Sequence, residues 1–203
     1  MDISAQNRVR LLHPSHSFIS KLIVFLIFFT GGCMKAQQTN GNSDTLTMAS
    51  TMTVRSTAFQ NDSAIPQRYT CQGENISPAL AWSDAPKGTK SFALVVEDPD
   101  APSGTFIHWV IYNIPGSQHT LQENIDRRDP LPNGARQGTN SAKQVGYMGP
   151  CPPAGNAHRY YFKLFALDSD INIPGTVTRD ALMSAIEHNI LAEGALMGTY
   201  RRQ

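Results

Sequence analysis

Two stretches of this 203-residue chain carry side chains that can do chemistry. Asp98-Pro-Asp100 sets two carboxylates around a proline, and His108 follows at the start of an apolar run, Trp109–Ile114. Gly149-Pro-Cys151-Pro152-Pro-Ala-Gly155 is a second loop of the same type, and it delivers His158 and Tyr160 to the run ending at Leu167. Singly, each loop reads as a turn, because Asp caps its own backbone and Pro fixes φ. Two such loops, each ending in a histidine, point further. Two imidazoles and a phenol supply hydrogen-bond donors that grip the oxygens of a phosphate or carboxylate. Gly149 and Gly155 allow the backbone to approach a ligand closely. Carboxylates repel an anion, so Asp98 is expected to accept a proton from an imidazole, fixing its tautomer and favouring its charged form. Asp100 does the same or holds the loop.

These residue types admit two other readings. Two His and two Asp are formally adequate for zinc, but they lack tight ligand spacing, so no metal is expected. There is no Gly-x-Ser-x-Gly elbow, and Cys151 sits between prolines with no base nearby in sequence. Binding is therefore the leading function class. An enzyme acting on a small phosphate or ester is the alternative, and equilibrium binding without turnover separates the two.

The elements that must position these side chains are mostly strands. Ser91–Val96 and the run after His108 are rich in strand formers and joined by a Pro/Gly loop, which predicts a hairpin returning His108 towards Asp98. Ser91–Val96 is apolar on both faces, which predicts a central strand with Phe92, Leu94 and Val96 on one layer and Ala93 and Val95 on the other. Period-two alternation puts His158 and Tyr160 on one face. If their strand lies beside the one beginning at His108 and runs parallel to it, both histidines open on one cleft. His158→Ala is then expected to weaken anion binding and leave folding nearly intact. Further short runs near Met52–Phe59 and Ala79–Trp82 suggest an antiparallel sandwich, with Trp82 and Trp109 in its core. Near the C-terminus Leu182, Ile186 and Ile190 recur every four residues, predicting an amphipathic helix with Thr178 as N-cap, Asp180 at its positive end and Gly194 ending or kinking it.

The N-terminal part reads differently. Arg8, Arg10 and Lys21 precede Leu22–Phe29, an apolar run too short to span a bilayer and long enough for a signal-peptide core. Thr30-Gly-Gly-Cys33 resembles the lipobox of bacterial lipoproteins, in which the cysteine is lipidated and becomes the mature N-terminus. An ordinary export signal or an uncleaved anchor is the alternative. Residues 1–33 are thus expected to be a lipoprotein-type signal, 34–51 a flexible polar tether and 52–203 the folded domain. The chain would be exported and lipid-anchored to a bacterial membrane, facing the periplasm. Lysine and arginine number 17 against 16 acidic residues, a balance that gives no basis for nucleic-acid binding. With Cys33 lipidated, Cys71 and Cys151 remain, as a disulfide or as two thiols. The Cα separation that decides is not legible in sequence.

Both loops resemble signatures of the phosphatidylethanolamine-binding protein (PEBP) family, in its bacterial Raf kinase inhibitor-like branch. Asp98-Pro-Asp-Ala-Pro102 with His108 matches the first signature, and Gly149-Pro through His158-Arg-Tyr160 the second. Asn75-Ile-Ser-Pro78, Leu80-Ala-Trp82, Pro86–Ser91, Leu191-Ala-Glu193 and Leu196–Tyr200 extend the likeness over about residues 52 to 202. The resemblance implies a mostly β fold, an antiparallel β-sandwich of PEBP type with a few short helices including one near the C-terminus. It also implies a small-anion pocket lined by Asp98, Asp100, His108, Pro152, His158 and Tyr160, with Phe106 at its edge. No cofactor is implied. The ligand would be phosphate, phosphoethanolamine-like or a carboxylate. The membrane is reached through the N-terminal lipid, and any protein partner is left unidentified, because fold likeness does not transfer one. A cis Ala101–Pro102 bond is expected on the same resemblance.

Overall fold

The computed structural model describes residues 50–203. Its elements are β1 (Ser50–Thr51), β2 (Thr53–Ser56), β3 (Ser63–Ala64), β4 (Leu80–Ser83), β5 (Ser91–Asp98), β6 (Phe106–Pro115), β7 (Thr120–Leu121), β8 (Arg136–Gln137), β9 (His158–Leu167), α1 (Arg179–Ile186) and β10 (Ile190–Tyr200). A single 3-10 turn, Gln67–Tyr69, precedes β4. The residues expected to form a signal segment, Cys33 and nearly all of the expected tether lie outside the described residues. Ser50 and Thr51, assigned above to the tether on polarity alone, pair with Ala192 and Glu193, so the folded domain reaches back at least to Ser50.

Seven strands form the large sheet in the order β1-β10-β9-β5-β6-β8, with β3 also on β10. Strands β2, β4 and β7 form the small sheet. The long strands pair antiparallel, while the short β1 and β3 run parallel to β10. All eight residues of β5 are buried, because it has β6 and β9 at its sides and packed layers on both faces. Phe92, Leu94 and Val96 enter the core shared with Val54, Trp82 and Leu121 of the small sheet. Ala93 and Val95 enter a second core with Leu182 and Ile186 of α1. Trp82 and Trp109 are buried in the first core, as expected from their size.

The helix differs from its expected extent. Thr178 caps it by accepting the Ala181 amide at 3.3 Å, and Leu182 and Ile186 are its buried stripe. It stops at Ile186, and Ile190 already belongs to β10. Gly194 neither ends nor kinks a helix. It is an interior strand residue where a Cβ would come 2.5 Å from the Met52 carbonyl oxygen. Alternation was present in this strand, with Ala192, Leu196, Gly198 and Tyr200 buried, but Gly, Ala and Glu weaken its strand signature.

Candidate functional site

The site sits where β5 ends and β6 and β9 begin. β9 and β6 both run antiparallel to β5, so they are parallel to each other but not neighbours. The adjacency considered above is corrected: β5 lies between them and carries Asp98 on its last residue. This order explains the polar pairing. The Asp98 carboxylate, nearly closed off from solvent, accepts from His158 Nδ1 at 2.8 Å through Oδ2. Its Oδ1 accepts the Asp100 amide at 2.9 Å and sets the turn. The imidazole that Asp98 orients is therefore His158, 60 residues away in sequence, and not the hairpin neighbour His108.

His108 has another anchor. Val96 faces Trp109 while Glu97 faces Ile107, so a β-bulge falls at His108. Ile107 packs against the α1-side core and Trp109 lies in the other. The His108 ring, at 5.2 Å from the Tyr160 ring, stands with Trp109 on the inner face. A regular strand would alternate consecutive side chains; the bulge re-aims one of them. Met148 then holds the residue from both sides. Its amide donates to the His108 carbonyl at 2.9 Å, and its carbonyl accepts from His108 Nδ1 at 2.7 Å. A carbonyl only accepts, so Nδ1 carries the hydrogen, and neutral His108 keeps its Nε2 lone pair. Nδ1 of His158 likewise faces a carboxylate, which leaves Nε2 as its second nitrogen. Burial pushes the His108 pKa below its ordinary 6.5, opposed by the Met148 carbonyl and by Asp98.

Asp98, His108 and His158 contribute the polar lining of a cavity of about 240 Å³. Ala101, Pro102, Phe106, Met148, Pro152 and Pro153 supply an apolar wall, and Cys151 lies among them. The structure thus brings Asp98, His108, Pro152 and His158 together around one space. Phe106 joins them with its ring 4.8 Å from that of His108. A larger cleft of about 460 Å³ lies beside α1, lined by Glu97, Ser141 and Arg179 among others, but neither histidine reaches it.

Three expected site residues are not among those lining the cavity. Asp100 does not line the cavity. Its carboxylate takes the Arg159 amide at 2.9 Å and the Arg159 guanidinium at 2.9 and 2.7 Å, which ties the Asp-Pro-Asp turn to β9. That guanidinium holds the Asp100 pKa at about 2. Gly149 is needed for packing: a Cβ there would lie 2.4 Å from the Tyr69 carbonyl oxygen, and its amide donates to Asn75 Oδ1 at 2.7 Å. Tyr160 lies beneath the cavity, wholly buried, with no hydrogen-bond partner for its hydroxyl. Burial raises its pKa, and nearby Asp98 adds to the rise. The Ala101–Pro102 bond is trans, contrary to the expectation; among the described residues Asp129–Pro130 is cis.

Met148 and Arg159 were missed. Arg159 sits next to His158 on the outward side of the strand alternation, where a partner for Asp100 was legible in principle. Met148 acts through backbone atoms, which side-chain patterns do not encode. Cys71 and Cys151 form a disulfide with Cα atoms 5.4 Å apart. Among the described residues, no three His, Cys, Asp or Glu side chains are grouped to hold a metal ion.

Comparison with known proteins agrees with this fold. A UPF0098 protein of Methanothermobacter thermautotrophicus is 46% identical over 151 residues, covering 74% of this chain and 99% of that protein. One of Aquifex aeolicus is 45% identical over 153 residues, covering 74% and 89%. The crystal structure of CT736, a PEBP homolog from Chlamydia trachomatis, is 40% identical with a TM-score of 0.69 and covers 76% of this chain and 100% of its own. That of Escherichia coli YbcL, described as a member of the mammalian PEBP family, is 33% identical with a TM-score of 0.70 and covers 75% and 99%. The sequence profile named phosphatidylethanolamine-binding protein matches residues 55–201. With both signature loops meeting at one cavity, the chain belongs to the phosphatidylethanolamine-binding protein family.

Proposed function

We propose that the chain is an exported, lipid-anchored binding protein whose cavity takes the phosphate or carboxylate end of a small ligand and can present it to a protein partner. The observation that carries this reading is the convergence of His158, oriented by Asp98, and His108, oriented by the Met148 carbonyl, on one cavity. Each has its Nδ1 hydrogen committed, so an anion is held through Nε2 once the imidazole is protonated. The His158 imidazolium offsets the Asp98 charge that would otherwise repel the ligand. The cavity is smaller than the roughly 300–1,000 Å³ of sites for drug-sized ligands, and suits a head group better than a whole phospholipid.

Export is supported by the Leu22–Phe29 run before Cys33 and by the Cys71–Cys151 disulfide, a bond that persists in oxidising compartments. Cys33→Ser should leave the protein in the aqueous phase of a detergent partition or as an unprocessed precursor. Wild-type protein in the aqueous phase would refute the anchor.

The binding test is calorimetric titration with O-phosphoethanolamine. Affinity should rise as pH falls below the ordinary imidazole value of 6.5, because burial holds the His108 pKa under it. No heat at any pH would overturn the reading. A hydrolytic alternative draws on the Asp98–His158 pair, which has the form of an oriented general base. Cys151, the sulfur in the cavity wall, is held in a disulfide and is not a free nucleophile. Release of phosphate from the same probe on prolonged incubation would favour that alternative.

A further inference from the structure

We propose that the Cys71–Cys151 disulfide is an exchangeable latch on the ligand cavity, opened by dithiol reductants. This rests on the binding reading above and adds a means of controlling it. The wall carrying Met148, Pro152 and Pro153 is bonded to β6 at Met148 and enters the sheet at His158. Its first half is well tied. Tyr147 donates its hydroxyl to the Tyr69 carbonyl at 2.9 Å, Gly149 its amide to Asn75 Oδ1 at 2.7 Å, and the Cys71 amide reaches the Pro150 carbonyl at 3.1 Å. Its second half is not. Among the described residues, no hydrogen bond engages residues 152–157. Two prolines and the exposed Ala154-Gly155-Asn156 supply few donors and little buried surface. Cys151 is the last cross-link before β9, and it lines the cavity itself.

That position makes the bond both effective and reachable. Cys71 and Cys151 are each half-buried, and the Cys151 side is approached through the cavity. A thiolate of the reductant attacks Cys151 Sγ, the Sγ–Sγ bond breaks, and Cys71 leaves as a thiolate that takes a proton from water. The reductant's second thiol then attacks the mixed disulfide and releases Cys151 as a thiol. Two electrons pass to the protein, and the dithiol becomes a cyclic disulfide. With the cross-link gone, residues 151–157 are held only at their ends, and the proline wall of the cavity loses its position. A bound ligand covers Cys151 and slows the attack.

The test uses the full-length wild-type protein, oxidised and treated with dithiothreitol, with two readouts. Cleavage within residues 152–157 by a broad-specificity protease should speed up by more than tenfold on reduction, while the amides of β5 and β9 stay protected in hydrogen exchange. O-phosphoethanolamine affinity should fall at least tenfold, and a Cys71→Ala, Cys151→Ala variant should match the reduced protein and ignore dithiothreitol. Unchanged cleavage at 152–157 overturns the latch, whatever the ligand does. Unchanged affinity in the reduced, folded protein overturns its control of the cavity. If oxidised protein binds nothing, the binding reading fails, and the cleavage data alone decide whether the bond orders the wall.

Discussion

His158 and Asp98 form a buried pair, with side-chain exposures of 10% and 4%, and this changes what a substitution at His158 does. As a rim residue it could be truncated without harm to the fold. As the partner of a buried carboxylate it cannot. His158→Ala should lose roughly 1–3 kcal/mol of unfolding free energy in urea titration, because Asp98 stays buried without its donor. In His158→Asn the amide nitrogen stands where Nδ1 stands, so most of that stability should return. Both variants lack Nε2, and both should lose about 1.5–3 kcal/mol of anion binding by calorimetry. An Asn variant that binds like wild type would remove Nε2 from the site. His108 gives a second expectation. Its folded pKa lies below the unfolded value near 6.5, so the unfolded chain binds the extra proton first. Its contribution to stability is complete above about 6.5 and declines as pH falls towards the folded pKa. Thermal unfolding between pH 7.5 and 5 should show this decline, and His108→Asn, which keeps a donor for Met148 without titrating there, should flatten it.

At the scale of elements, β10 joins the N-terminal strands to the sheet, and its glycines permit the close approach. The Met52 amide donates to the Glu193 carbonyl at 2.7 Å, and a Cβ at Gly194 would lie 2.5 Å from the Met52 oxygen. Backbone must move to admit it, so Gly194→Ala should destabilise by roughly 1–3 kcal/mol in urea titration, the range for overpacking a filled core. β1 pairs with β10 at this point, so its amides should lose protection first in hydrogen exchange. Equal stability of the variant would mean that β1 and β2 are not seated on β10 as described. The β6 bulge is the other decisive element feature. It sets His108 and Trp109 on one face, so the indole fills the core while the imidazole closes the cavity floor beside Tyr160.

At the scale of the whole domain, residues 50–203 pack one core on each face of the large sheet, and the disulfide closes a long loop beside the cavity. Cys71 and Cys151 are 80 residues apart in sequence. In the chain-entropy picture a loop of that size contributes about 4–5 kcal/mol by restricting the unfolded chain. The Cys71→Ala, Cys151→Ala variant should therefore unfold at distinctly lower urea. It should still retain its native fold by circular dichroism, because neither cysteine belongs to either core. A variant as stable as wild type would place the stabilisation elsewhere.

The amino-acid sequence by itself determined the features that depend on local periodicity. The double-sided burial of Ser91–Val96, the hairpin into His108, the Leu182–Ile186 stripe and its Thr178 cap were legible because side-chain direction follows the residue period. The two Gly/Pro loops and their histidines were legible as residue types, and with them the family. Tertiary structure alone decided which groups meet. Asp98 lies closer in sequence to His108 and bonds His158, because β5 runs between the strands that carry them. Asp100 serves Arg159, Gly149 serves Tyr69 and Asn75, and Cys71 finds Cys151. β10 escaped detection because its glycines and alanines make sense only against the strands they let approach. The reason is common to all of these. A period of two or of 3.6 fixes which way a residue points within its own element, whereas its partner depends on strand order, bulges and loop paths, and these arise only when distant segments pack together.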